Sequence, residues 1–148
     1  METSVPVSHV LQTQRILPYT PDVIYAAFAD PDRLAQWWGP NGFTNTFKVF
    51  EFRVGGHWIF VMHGPDGTDY PNECVFKELE PGKKVVIEHV CQPYFTLTVS
   101  LQPVKEGTRV LWVQAFENAG VAEAVRAVAG PGNEQNLDRL GGVLGGAG

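Results

Sequence analysis

Between Phe43 and Phe116 the sequence alternates apolar and polar residues with a period of two, and short turn motifs cut the alternation at intervals. Period two puts successive side chains on opposite faces of a strand, so this stretch is sheet. The pattern is cleanest from Tyr94 to Val104, where Phe95, Leu97, Val99 and Leu101 fall on one side and Thr96, Thr98, Ser100 and Gln102 on the other. Gly55-Gly56, Gly64-Pro65-Asp66-Gly67, Pro81-Gly82 and Glu106-Gly107 supply turn chemistry. They divide the stretch into strands at 43–54, 57–63, 70–78, 84–91, 94–104 and 108–116. Strands joined by turns this short run antiparallel, which predicts a six-stranded meander.

Helical signals flank the meander. His9 to Leu17 reads as a first strand, and Thr20-Pro21-Asp22 then starts a helix: a capping hydroxyl, a proline at the first helical position and an acid at the positive end of the dipole. Asp30-Pro31-Asp32 ends it and starts a second short helix reaching Trp37-Trp38. From Val121 to Leu144 the period becomes helical again, in two parts divided at Gly130-Pro131-Gly132. Val121, Val125 and Val128 form one apolar stripe, Leu137, Leu140 and Leu144 another, and the glycines of the tail predict a fraying last turn. The expected class is α+β: a strand, two short helices, six more strands and a long C-terminal helix. One helix cannot fill the concave side of so large a sheet, so side chains or a ligand must occupy the remaining space.

With 148 residues the chain fits one domain spanning 1–148, large enough to be stable without metal or disulfide. A net charge of −5, with no basic run longer than Lys83-Lys84, argues against nucleic acid. No leader pattern or run of membrane-spanning length stands out, and a cytoplasmic location is expected. Cys74 and Cys91 lack CxxC spacing and read as buried thiols, able to form a cross-strand disulfide only in an oxidising compartment. Nothing in the sequence calls for a metal or other cofactor: HExxH, GxSxG and GxxxxGK are all absent.

In the strand from His57 to His63 the bulky set Trp58, Phe60 and Met62 belongs inside. His57 and His63 then face outward or lie at the rim. Six residues apart on one strand, they are separated by roughly 20 Å and cannot bind one ion together. Across the Pro81-Gly82 hairpin, a register that places Lys77 opposite Glu88 also sets Cys74 opposite Cys91 and Phe76 opposite His89, all four on the inner face. His89 is either a core imidazole satisfied by one hydrogen bond or a group that reads or polarises a ligand. Val110, Trp112, Gln114 and Phe116 share the inner face of the last strand, with Gln114 as a polar anchor. Candidate ligand contacts are therefore Trp58, Phe60 and Met62; Cys74, Phe76 and His89; Phe95, Leu97, Trp112 and Gln114; and Leu137 from the helix. Outward-facing Ile59, Val61, Leu111 and Val113 hint at a homodimer contact. Trp37 reads as packing between the short helices and the sheet, and Trp38 as either packing or part of a lid.

Three segments, PDVIYAAFADPDRLAQWWGP from Pro21, RVGGHWIFVMHGPDG from Arg53 and NEQNLDRL from Asn133, resemble in order the signature segments of bacterial activator-of-heat-shock-ATPase-like proteins. These belong to the START-like, or SRPBCC, superfamily. The resemblance runs from Val10 to Leu144 and implies a helix-grip fold: a curved seven-stranded antiparallel sheet around a long C-terminal helix, with an apolar cavity between. Asn133 stands where the family often has tryptophan, which implies a cavity wider at that end. Relatives on this scaffold bind lipids, hormones or polyketides, and some are cyclases or hydrolases. The resemblance therefore implies a binder of a small apolar ligand. The alternatives are acid-base catalysis by His89, with Glu73 or Glu117 as partner, and a chaperone-associated or stress-response interaction protein.

Overall fold

A computed structural model describes residues 9–92 and 94–146. Its elements are β1 (Val10–Leu17), α1 (Pro21–Ala29), α2 (Pro31–Trp37), β2 (Thr44–Phe50), β3 (His57–His63), β4 (Asp69–Glu80), β5 (Lys84–His89), β6 (Phe95–Val104), β7 (Gly107–Phe116) and α3 (Ala119–Gly146). The strands form one antiparallel sheet in the order β1-β7-β6-β5-β4-β3-β2. Strands β2 to β7 are the expected meander. The first strand returns to pair with the last, Leu11 opposite Gln114 and Thr13 opposite Trp112. The order of elements is that of a helix-grip fold.

Local chemistry accounts for the short helices. The Thr20 side chain accepts from Val23 N at the start of α1, and Asp30 accepts from Asp32 N at the start of α2, each with proline in the first turn. Ile24, Ala27, Phe28, Leu34 and Trp37 are buried, and Trp37 Nε1 donates to Ala27 O at 3.1 Å. Trp37 is therefore packing.

Three expectations need correction. The β2 strand stops at Phe50, because residues 51–56 turn back on themselves through Arg53 N to Glu51 O and Gly56 N to Arg53 O. The hairpin register is shifted by two residues from the expected one: Cys74 pairs with His89 and Phe76 with Ile87. Pro81, Gly82 and Lys83 make a three-residue turn with Gly82 at φ +73°, and a bulge between Phe76 and Glu78 adds the rest of the shift. A slip of two preserves the face of every side chain, so His89 remains inside, while Cys74 and Cys91 are not opposite one another. Lys77 and Glu88 still meet at 3.5 Å, as a diagonal pair.

The third correction concerns α3, which runs unbroken through Gly130-Pro131-Gly132 and stays helical to Gly146. Proline there deletes one intrahelical hydrogen bond, at a cost of about 3 kcal/mol in an isolated helix. Packing overrides it. Leu137 and Leu140 are fully buried and Leu144 nearly so, each gaining on the order of 1.5–3 kcal/mol. Asn118 caps the N-terminus by accepting from Val121 N at 2.9 Å. Val128 leaves its expected stripe and is 75% exposed, whereas Ala122 is buried against Leu11 and Phe116. Arg15 ties β1 to α3 through ion pairs with Glu134 and Asp138. On the outer face of the sheet Ile59, Val61, Leu111 and Val113 are half-buried.

Candidate functional site

The inner face of the sheet is not one uniform wall. At one end, Phe47, Phe50, Phe52, Trp58, Phe60 and Phe76 pack as edge-on and stacked aromatic pairs, with Trp58 and Phe60 rings 4.1 Å apart. That end is solid. Moving along each element towards the other end, the residues become Met62, Asn72, His89, Phe95, Gln114 and Asn133, and the space between sheet and α3 opens into a pocket of about 240 Å³.

Of the residues singled out from the sequence, Phe60, Met62, Cys74, His89, Phe95, Leu97, Trp112 and Gln114 line this pocket. Trp58, Phe76 and Leu137 do not. They lie deeper in the packed core, all buried to 1% exposure or less. Alternation identifies the face of a strand but not how far along it the space begins. Trp38 lines the pocket from the opposite side, its ring 5.0 Å from Trp58 and 5.9 Å from Trp112. Gly39 and Pro40 continue that wall, and Val128, Ala129, Gly132, Asn133 and Asn136 supply the helical one.

The segment 36–43 that forms the wall is held by α3. Arg139 donates to five of its backbone carbonyls: from Nη1 to Trp38 O at 3.2 Å, Gly39 O at 3.0 Å and Pro40 O at 2.8 Å, and from Nη2 to Gln36 O at 2.8 Å and Phe43 O at 2.9 Å. Asn136 Oδ1 accepts from Gly39 N and Gln135 Oε1 from Asn41 N. Three residues of NEQNLDRL thus act as one clamp. Burial lowers the Arg139 pKa from its ordinary value without discharging the guanidinium. The clamp escaped the sequence reading, although three polar residues spaced for one helical face beside an apolar stripe are a usable signal.

The polar groups within the pocket are mostly satisfied by one another. Asn72 Nδ2 donates to Tyr70 O at 2.8 Å, which turns Oδ1 towards His89 Nε2 at 2.7 Å. His89 Nε2 faces an acceptor oxygen in this arrangement and donates to it, and its ring stacks on Phe95 at 4.5 Å. Cys91 Sγ lies 3.4 Å from the same nitrogen. Of the expected carboxylate partners, Glu73 pairs with Ile59 on the outer face, and exposed Glu117 is outside this lining but borders a neighbouring surface pocket together with His89. Asn133 and Gln114 join their side-chain amides at 3.0 Å. Burial, then the nearby Cys91 and Glu73 charges, push the Cys74 thiol well above its ordinary value, so it stays neutral. Trp112 Nε1 is buried with no hydrogen-bond partner among the described residues. Outward-facing His63 bonds Thr46 and Asp69. Among the described residues no cluster of histidine, cysteine or carboxylate has metal-site geometry, and no helix is long and apolar enough to cross a membrane.

The family model described as Activator of Hsp90 ATPase homolog 1-like protein matches residues 18–145. The chain belongs to this family. The architecture is shared by solved structures of several bacterial proteins. A Nitrosomonas europaea protein aligns with a TM-score of 0.87 at 21% identity, covering 99% of this chain and 100% of its own. One from Rhodobacter sphaeroides aligns at 0.82 and 25% identity over 93% and 92% of the two chains. An AHSA1-like protein from Aeromonas hydrophila aligns at 0.76 and 17% identity over 93% of each. No curated protein matches the chain.

Proposed function

We propose that this family member is a binding domain for a small, predominantly apolar molecule, enclosed between the sheet and α3. The observation that carries the reading is the pocket of about 240 Å³ walled by Trp38, Phe60, Ile87, Phe95, Leu97 and Trp112. An engineered apolar cavity of about 150 Å³ suffices for benzene, so this space suits a molecule of one or two rings. Aromatic walls with a few orienting amides are the usual make-up of such sites. Glu73 lies on the outer face of the sheet, and nothing in the lining supplies an activated nucleophile, which favours binding over turnover.

The test is titration with naphthalene-sized ligands, read by tryptophan fluorescence and thermal unfolding. Ligand at 100 times its Kd stabilises the fold by about 2.7 kcal/mol. Gly132→Leu serves as the filled-pocket control: Gly132 faces the pocket from a helix, and a Cβ there meets only Pro40 Cγ at 3.4 Å. Replacing glycine inside a helix gains up to about 1 kcal/mol, so the variant folds while losing the ligand response. No response in the wild type, or an equal response in both proteins, refutes the proposal.

A further inference from the structure

We infer that the pocket selects an uncharged ring compound carrying a hydrogen-bond acceptor oxygen, received by the side-chain amide of Asn136. This deepens the binding proposal above and rests on it.

The orientation of Asn136 is determined by its neighbour. Gly39 N reaches its Oδ1 at 3.2 Å, and a backbone N–H can only donate, so the other end of the amide is the NH₂ group. Asn136 is 6% exposed and lines the pocket, and its Nδ2 has no hydrogen-bond partner among the described residues. Of the other side-chain amides of the lining, Asn72 bonds Tyr70 O and His89, while Gln114 accepts from Asn133 through Oε1 and keeps its Nε2 as a further unmatched donor among the described residues. A third unmatched donor, Trp112 Nε1, belongs to the same lining residues, and Trp58 Nε1 in the packed core beside them is unmatched as well. Donors in an apolar pocket that no protein group matches are open to an acceptor supplied from outside, and three residues of this lining carry one.

Charge narrows the class. The lining contains no carboxylate, lysine or arginine, and Arg139 behind it is committed to the backbone of 36–43. A carboxylate ligand would meet no lysine or arginine in the lining, only the His89 imidazole already bonded to Asn72, while a pure hydrocarbon would leave these donors unmatched. A ring ketone or similar neutral oxygen compound meets both constraints.

The experiment compares three probes by calorimetry on the wild-type protein: an acetylnaphthalene, its isopropenyl isostere, which replaces C=O by C=CH₂, and the matching naphthoate at pH above 7. The ketone is expected to bind at least tenfold more tightly than either of the others. Asn136→Leu is expected to cut the ketone's advantage over the alkene at least threefold, the loss of one discriminating hydrogen bond, and an unchanged ratio would overturn the assignment to Asn136. If that variant fails to fold, the wild-type ratio alone decides. Alkene binding as tight as ketone, or naphthoate binding tighter, overturns the inference while leaving the pocket as a binding site. If none of the three binds, the binding proposal falls with it.

Discussion

Arg139→Met tests whether the clamp on segment 36–43 is a main support of the fold. Methionine keeps the apolar stem and removes the donors. Five carbonyls lose a donor, although Trp38 O still accepts from Asn45 Nδ2 and Pro40 O from Phe43 N; four of the lost contacts are part-buried and the one to Gln36 O is exposed. The two terminal nitrogens carry four N–H groups, so at least one bond is shared, and at about 1 kcal/mol for each N–H the gross loss is about 4 kcal/mol. Water reaching the freed carbonyls reduces this to about 3 kcal/mol. With a urea m-value of about 2 kcal/mol/M for a domain of this size, the midpoint falls by about 1.5 M. Lysine has three donors from one point and cannot fork across the segment, so Arg139→Lys recovers less than half. A midpoint shift below about 0.5 M at unchanged m, or full recovery by lysine, would refute the reasoning.

Gly56→Ala brings a Cβ within 2.0 Å of Glu51 O and 2.9 Å of Arg53 O, both backbone, whereas at Gly55 a Cβ meets nothing within 4 Å. Urea unfolding should show a loss of about 3 kcal/mol or more at Gly56, and about 1–2 at Gly55 from its φ of +81° alone; the reverse order would contradict the turn geometry. At pH 8 iodoacetamide should label half-exposed Cys91 once per folded chain, and Cys74, 2% exposed, only after unfolding; equal labelling rates would be inconsistent with a buried thiol. The raised Cys74 pKa makes the protonated thiol the folded form, so its contribution is intact below the ordinary thiol value of 9.0 and is lost as pH rises above it. Above that pH the wild type should lose up to about 1.4 kcal/mol per pH unit relative to Cys74→Val, and parallel stability curves for the two proteins would exclude the effect.

The meander, the inward set of Trp58, Phe60 and Met62 and the caps at Thr20 and Asp30 were legible because period-two alternation and helix starts depend on nearest neighbours in the chain. The pairing of β4 with β5 was not, since the bulge near Lys77 arises from contacts that no local pattern records. The break expected at Pro131 was a propensity argument overridden by the burial of Leu137 and Leu140. For the site, the sequence separated inside from outside but not floor from void: Trp58 and Cys74 are directly paired across β3 and β4, yet only Cys74 lines the space. The Arg139 clamp joins residues about a hundred positions apart, so a local window shows its donors on one helical face but not the carbonyls they meet.

Around the proline inside α3, two kinds of residue share the helix. Val128 and Ala129 line the pocket upstream of it and take no part in holding segment 36–43, which Gln135, Asn136 and Arg139 do from downstream. Substitutions upstream of Pro131 can therefore reshape what is admitted without disturbing the contacts that anchor segment 36–43. Variation in specificity between such scaffolds would be cheapest to acquire on that upstream turn, with the foundations left alone.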